Sequence, residues 1–226
     1  MDKNKIAIAQ YWTSNLSYGK FTKAINSKYC EEKGYTYFLE DDSLKITQNI
    51  IGRAITWYKP KFLLEVFEKL NPEYVLFLDA DVTFTHRYAI KEAFEEICTG
   101  NYEMVSTNPV YKGEFDIRAS IMFALNKCVT WFLSKVEPFA IGGFTMVNRQ
   151  LFIALGGYDE QATQSEDWLL SKRILPHRFK LIPDLMTQDN RRFKRYGYTN
   201  MIKLLWRNWK NRNNLKYFYK DQNYWD

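Results

Sequence analysis

Apolar residues recur along the first half of this chain in two alternating rhythms. "KIAIAQY" (5–11) is a compact apolar run and predicts a short buried strand. In "YGKFTKAINSKYCEEKG", Phe21, Ala24, Ile25 and Tyr29 fall at helical spacing, and Gly34 stops the helix. "YTYFLE" (35–40) predicts a second strand. From Pro60 onward Leu63, Val66, Phe67 and Leu70 mark one helical face, which Asn71-Pro72 ends. Tyr74 to Leu78 predicts a third strand. It is apolar throughout rather than alternating, as a parallel strand covered on both faces should be. Strand, helix, strand, helix, strand in this order predict an α/β fold with an open, mostly parallel sheet.

The second half is less regular. "AIKEAFEEI" predicts a helix and "EMVS" a short strand. "IGGFTMVNR" predicts a strand, followed by a helix that stops at Gly156-Gly157. Ser165 is placed to cap a helix running through "EDWLLSKRIL" to Pro176, and "FKLIP" predicts a late strand. No linker stands out before about residue 190, so the expectation is one unit over 1–190 and a separate segment over 191–226.

Composition changes this picture in two places. The chain has 226 residues, 46% of them hydrophobic, enough for one sizeable core. The net charge of +6 is uneven: residues 191–226 hold ten Lys/Arg against two Asp, so this segment carries +8 and the rest −2. Basic and aromatic residues together there suit a membrane surface or an anionic acceptor, and also fit nucleic acid, the less favoured partner. Docking on the chain's own body is the plainer expectation. Cys30, Cys98 and Cys128 lack metal or redox spacing and suit a reducing compartment. No stretch approaches ~20 apolar residues, and the N-terminal run lacks a cleavage site, so a cytoplasmic protein, or a catalytic domain cut from something longer, is expected.

The candidate chemistry sits in "YVLFLDADVTF" (74–84), where the greasy strand runs straight into Asp79 and Asp81. Ligands of open α/β sheets bind outside the carboxyl ends of the strands. Two carboxylates two residues apart on an extended chain point the same way, and such a pair suits Mn²⁺ or Mg²⁺ carrying phosphate oxygens. A solvated turn is the plainer alternative. "LDADVT" also resembles the DxDx(T/V) of haloacid-dehalogenase-type phosphatases, with Asp79 as nucleophile. There the strand usually opens the domain, whereas here some seventy residues precede it.

The chain resembles GT-A glycosyltransferases of family 2 and related inverting enzymes more fully. Besides the DxD strand, "GGYDE" (156–160) and "EDWLLSKR" (166–173) are similar to their acceptor-side segment, and the resemblance spans roughly residues 5 to 190. It implies a nucleotide-binding half (1–85) and an acceptor-side half (86–190). The implied reaction moves a sugar from a nucleotide diphosphate, most often UDP, to a hydroxyl of a glycan, glycoprotein or glycolipid.

The same resemblance implies the roles. Asp79 and Asp81 hold the metal, with Asp189 as third ligand, six residues after Pro183, where such relatives have His. His86 and His177 are expected to face solvent. Asp167 is the candidate base that takes the acceptor's proton, and on it the expectation of inversion rests. Glu166 binds acceptor hydroxyls and Trp168 stacks on a sugar. For the donor, Tyr11 or Trp12 stacks on the base, and Thr13, Asp41 or Asp42 bonds its edge or the ribose. Arg53, Trp57 and Lys61 meet phosphate, and Gly142 and Gly143 let the backbone approach the sugar. Against each stands a plainer reading: loop chemistry at strand ends, a solvated helix face, core packing of Trp57 and Trp168, or helix capping by residues 165–167.

Overall fold

The computed structural model describes residues 5–13, 17–50 and 57–220. In chain order these form β1 (Ile6–Tyr11), α1 (Ser17–Lys33), β2 (Thr36–Glu40), α2 (Ser43–Ile50), α3 (Tyr58–Leu70), β3 (Tyr74–Leu78), β4 (Thr83–Phe84), α4 (Ala89–Thr99), β5 (Met104–Tyr111), α5 (Ile117–Leu133), β6 (Phe144–Asn148), α6 (Arg149–Ala154), α7 (Glu166–Ser171), β7 (Phe179–Gln188), α8 (Arg191–Tyr196), α9 (Tyr198–Lys210) and α10 (Leu215–Phe218). The strands make one seven-stranded sheet in the order β2-β1-β3-β6-β5-β7-β4. β6 and β4 run against the other five.

β3 is buried along its whole length because both faces of the sheet are covered. Val75 and Phe77 point into one core with Phe62, Leu63 and Val66 of α3. Tyr74, Leu76 and Leu78 point into the other with Ile90 and Phe94 of α4. This is the two-residue period of a strand with helices on each side. The helix stops read from sequence hold: Gly34 and Asn71 take positive φ of 68° and 47°, as do Gly156 and Gly157 after α6.

Other details differ from the pattern. β5 and β7 are longer than "EMVS" and "FKLIP", because they pair with each other out to Tyr111 and Gln188. α7 stops at Ser171, and Ser165 does not cap it with its side chain but sits at φ 59°. Before residue 190 two helices went unpredicted, α2 and α5. α5 is capped by Asp116, whose Oδ1 accepts from the backbone N–H of Arg118 and Ala119 at 3.0 and 3.2 Å. Its periodicity is hidden because large apolar residues occupy its outer side as well as its inner one.

The segment beyond 190 docks on the body. Trp209 stacks on Trp168 with ring centres 6.2 Å apart, and fully buried Phe218 meets the same ring edge-on at 6.0 Å. Lys172 Nζ donates to the Arg212 carbonyl at 2.8 Å, and Tyr219 donates to Asp159 at 2.9 Å. The boundary expected at 190 therefore falls within one packed unit. Truncating Phe218 to Ala should cost about 3–5 kcal/mol, the usual loss for a fully buried Phe. Denaturant melts of the full chain check this, and an unchanged midpoint would mean that α10 contributes nothing to the core.

Candidate active site

Strand register explains why distant residues meet at one edge. Gln10, Leu78 and Phe144 lie level across β1, β3 and β6. One step further Asp79 N–H donates to the Gly143 carbonyl at 3.1 Å. Because β6 is antiparallel to β3, its entry, Gly142-Gly143, faces the exit of β3.

After Leu78 the chain turns, with Val82 N–H donating to the Asp79 carbonyl at 3.1 Å. Three buried polar side chains clamp this turn. Gln10 donates to the Asp79 carbonyl at 2.8 Å, Thr22 to that of Ala80 at 2.5 Å and Asn26 to that of Val82 at 3.1 Å. Buried carbonyls must find donors, and β1 and α1 supply them. The turn replaces the extended chain on which the two carboxylates were expected to lie, although Asp81 remains near enough to raise the proton affinity of Asp79. Asp79 faces the Gly142-Gly143 entry, while Asp81 reaches Arg191 at 2.9 Å.

Behind Asp79 lies a buried cation. Lys59, at the start of α3 and 1% exposed, places Nζ 2.7 and 2.6 Å from the two carboxylate oxygens of Asp167 and 3.4 Å from Glu166. Nζ also rests over the rings of Phe77 and Tyr158, at 4.3 and 4.9 Å. Tyr158 donates its hydroxyl to Asp167 Oδ1 at 2.8 Å. Burial pushes the Lys59 pKa down, but Asp167, Glu166 and Asp79 more than offset it, and the ammonium stays charged. Burial pushes Asp79 up to about 7, against the pull of Lys59, with Asp81 and Asp167 adding to the rise. Glu166 is raised in the same way, by burial first.

Gly142 is what brings the carboxylates together. A Cβ there would lie 2.9 Å from Asp167 Oδ2 and 3.8 Å from Asp79 Oδ2. Gly143 has φ +108°, and its Cβ would meet Val82 at 3.1 Å. These glycines admit protein carboxylates to the backbone, and Gly142 also lines the cleft above them.

A cleft of about 1220 Å³ opens over this edge and is lined by Tyr11, Asp79, Asp81, Gly142, Glu166, Asp167, Trp168 and Asp189. Other expected residues stand elsewhere. Trp12 is buried beneath Gly19, where a Cβ would come within 2.5 Å of the indole. Thr13 is buried and Trp57 half-buried, and neither lines the cleft. Asp41 pairs with Lys23 at 2.6 Å, Asp42 caps α2, and Lys61 lies on the outer face of α3. Arg53 lies outside the described residues. Trp168 is buried between Phe139, Trp209 and Phe218, so its ring is used in packing rather than offered to a sugar. Lys59, Tyr158, Gln10 and Arg191 were missed. Lys59 and Arg191 carried a faint signal, one beside Pro60 at a helix start and the other just after Asp189.

The cation fit can be read from Arg191. Its Nη2 is 2.9 Å from Asp81 and its Nε 2.6 Å from Asp189, with the guanidinium 3.7 Å over the Tyr18 ring. Asp81 and Asp189 thus face a common positive charge, and hard oxygen donors of this kind suit a divalent ion. Asp79 lines the same cleft, and among the described residues no three His, Cys, Asp or Glu side chains are already gathered as a metal-binding group.

No protein-family model and no curated protein matches the chain. Solved structures do. The Pyrobaculum calidifontis mannosyltransferase PcManGT, in complex with GDP-Man and Mn²⁺, superposes with TM-score 0.55 at 13% identity over 81% of this chain and 56% of its own. Staphylococcus aureus TarS with UDP-GlcNAc gives 0.54 at 14% identity over 83% and 59%. A Drosophila β-1,4-galactosyltransferase 7 mutant with manganese, UDP-Gal and xylobiose gives 0.51 at 11% identity over 84% and 72%. The chain spans little more than half the length of the first two. At these identities the likeness establishes the fold, and it is the GT-A type of α/β sheet expected from the sequence.

Replacing Lys59 with Met should cost about 3–5 kcal/mol, because Asp167 would be left buried without its partner. The double variant Lys59→Met/Asp167→Leu should recover much of that loss. Equilibrium denaturation of the three proteins decides, and a Lys59→Met chain as stable as the parent would show that the pair bears no structural load.

Proposed function

We propose that this protein is a glycosyltransferase that moves a sugar from a nucleotide diphosphate, with UDP the favoured nucleotide, to an acceptor hydroxyl. The observation that carries this reading is the convergence of Asp79, Asp81, Glu166, Asp167 and Asp189 on one cleft at the carboxyl edge of the sheet. The solved structures of the same fold that hold GDP-Man, UDP-GlcNAc or UDP-Gal support it.

Asp81 and Asp189 would hold a divalent ion, Mn²⁺ or Mg²⁺, with Arg191 yielding its place. Such an ion neutralises the charge that builds on a departing diphosphate. Arg191, Arg192 and Arg195 line the same cleft and supply further positive charge for phosphate oxygens. Asp79, beside Gly142 and Gly143, faces the donor sugar. Asp167 is the proposed base. Lys59 and Tyr158 hold its carboxylate in place, and Oδ2 looks past Gly142 toward Asp79. A base acting at this position, opposite the leaving diphosphate, would give inversion.

A second assignment of the base has its own observation. Glu166 makes only one long contact with Lys59, and burial raises its pKa, which strengthens it as a proton acceptor. The phosphatase alternative draws no support from the fold, since β3 is the third strand of the sheet and pairs with antiparallel β6. Among the described residues no helix is long and apolar enough to cross a membrane.

The test is calorimetry with UDP-sugars and Mn²⁺, followed by assay for slow UDP release. The parent chain should bind the donor in a metal-dependent way, and Asp81→Ala should abolish that dependence. UDP-sugar affinity in Mn²⁺ that is the same for both proteins would remove Asp81 from the metal site. Phosphate release from a phosphomonoester, without UDP-sugar binding, would favour the phosphatase.

A further inference from the structure

We propose that the groove between α5 and α9 is a lipid-binding site. It seats the hydrocarbon chain of a membrane-borne acceptor while the cations of α9 rest on an anionic bilayer. This rests on the proposed function in one respect, that the carboxylates at the inner end of the cleft are the transfer site.

The first ground is continuity. The cleft that holds Asp79, Asp81 and Asp167 extends outward between two helices. There its walls are Leu125 and Val129 of α5, and Leu205, Trp206 and Trp209 of α9. A glycan could stack on the indoles, and Asn126 and Asn208 lie among these residues, but the aliphatic run of Leu125, Val129 and Leu205 offers it no polar partner, whereas a hydrocarbon chain needs none. Asp116, which caps α5, also accepts from the Tyr198 hydroxyl at 2.7 Å, so the two helices are fastened at one end.

The second ground is surface. On α5 Ile117, Ile121, Leu125 and Val129 repeat every fourth residue, and all four are exposed. On α9 Ile202 and Trp206 stand out in the same way, with Trp206 67% exposed. Leu125, Val129, Ile202 and Trp206 of this face also line the cleft, and exposed apolar residues continuous with a ligand cleft mark a binding surface.

The third ground is charge. Lys203, Arg207 and Lys210 are exposed along the flank of α9, within a segment that carries +8. Tryptophan and leucine on one side of a helix with lysine and arginine beside them is the arrangement of helices that lie in a bilayer interface. A protein partner would be served by the apolar face alone. The adjoining cations favour anionic lipid.

The experiment uses the full chain and sedimentation with vesicles of phosphatidylcholine plus phosphatidylglycerol, or of phosphatidylcholine alone. The parent chain should bind the anionic vesicles, more weakly as salt rises. The Leu125→Asp/Trp206→Asp variant should lose at least about tenfold in apparent affinity. UDP-sugar binding should be unchanged in that variant, which separates this proposal from the reading of the transfer site. If the variant is less stable, vesicles with brominated acyl chains serve instead, and should quench tryptophan emission of the parent. The proposal is overturned if the parent stays in the supernatant, if it binds without quenching, or if the variant binds as well as the parent. A parent dimer that the variant disperses would make the face a protein interface and overturn it equally.

Discussion

One ammonium group organises the centre of this molecule. Lys59 is buried among aromatic rings and shared between Asp167 and Glu166, residues more than a hundred positions later. Taking such a charge out of water is costly, and only close carboxylates can offset the loss. The pair therefore constrains α3 and α7 to meet at the carboxyl edge of the sheet. Asp79 is drawn into the same field, which accounts for the opposition between burial and Lys59 in setting its proton affinity. Gly142 then lets Asp167 and Asp79 approach across the backbone, where any side chain would collide.

The outer layer of the site is built from the other direction. The turn after β3 has its carbonyls held by Gln10, Thr22 and Asn26, so Asp81 leaves the strand direction and meets Arg191 at the start of α8. Two cationic centres, Lys59 within and Arg191 without, flank the acidic turn. Under the proposed function this acidic edge, with its two cations, would receive a ligand that brings both positive and negative charge, as a metal-bound diphosphate does.

Much of the architecture was legible because it rests on local rules. Continuous apolar runs gave β1 and β3, and Gly34, Asn71 and the Gly156-Gly157 pair marked helix ends that depend on positive φ. The acidic pair was legible because carboxylates rarely follow a buried strand without cause. What escaped depends on long-range pairing. β5 and β7 extend because each completes the other. Asp79 and Asp81 sit on a turn, not on an extended strand, and its stabilising donors lie on β1 and α1. Trp12 and Trp168 look like ring-stacking residues in sequence, but Gly19 covers one and Trp209 and Phe218 the other. α5 was hidden for a different reason: amphipathic patterning is the signal of a helix with a wet face, and this one is apolar on both sides.

In the proposed function the carboxylates gathered by Lys59 perform acid–base chemistry on an acceptor, and do not only cap and pair. This role is tested most directly by sugar transfer measured for Asp167→Asn and Glu166→Gln beside their melting temperatures and UDP-sugar affinities. Asp167→Asn should lower transfer by about 10²–10⁴-fold, the scale of a lost general base, while donor affinity stays near that of the parent. The same loss in Glu166→Gln, with Asp167→Asn transferring normally, would move the base by one residue. Near-normal transfer by both variants would contradict the claim and leave the cluster a structural ion pair.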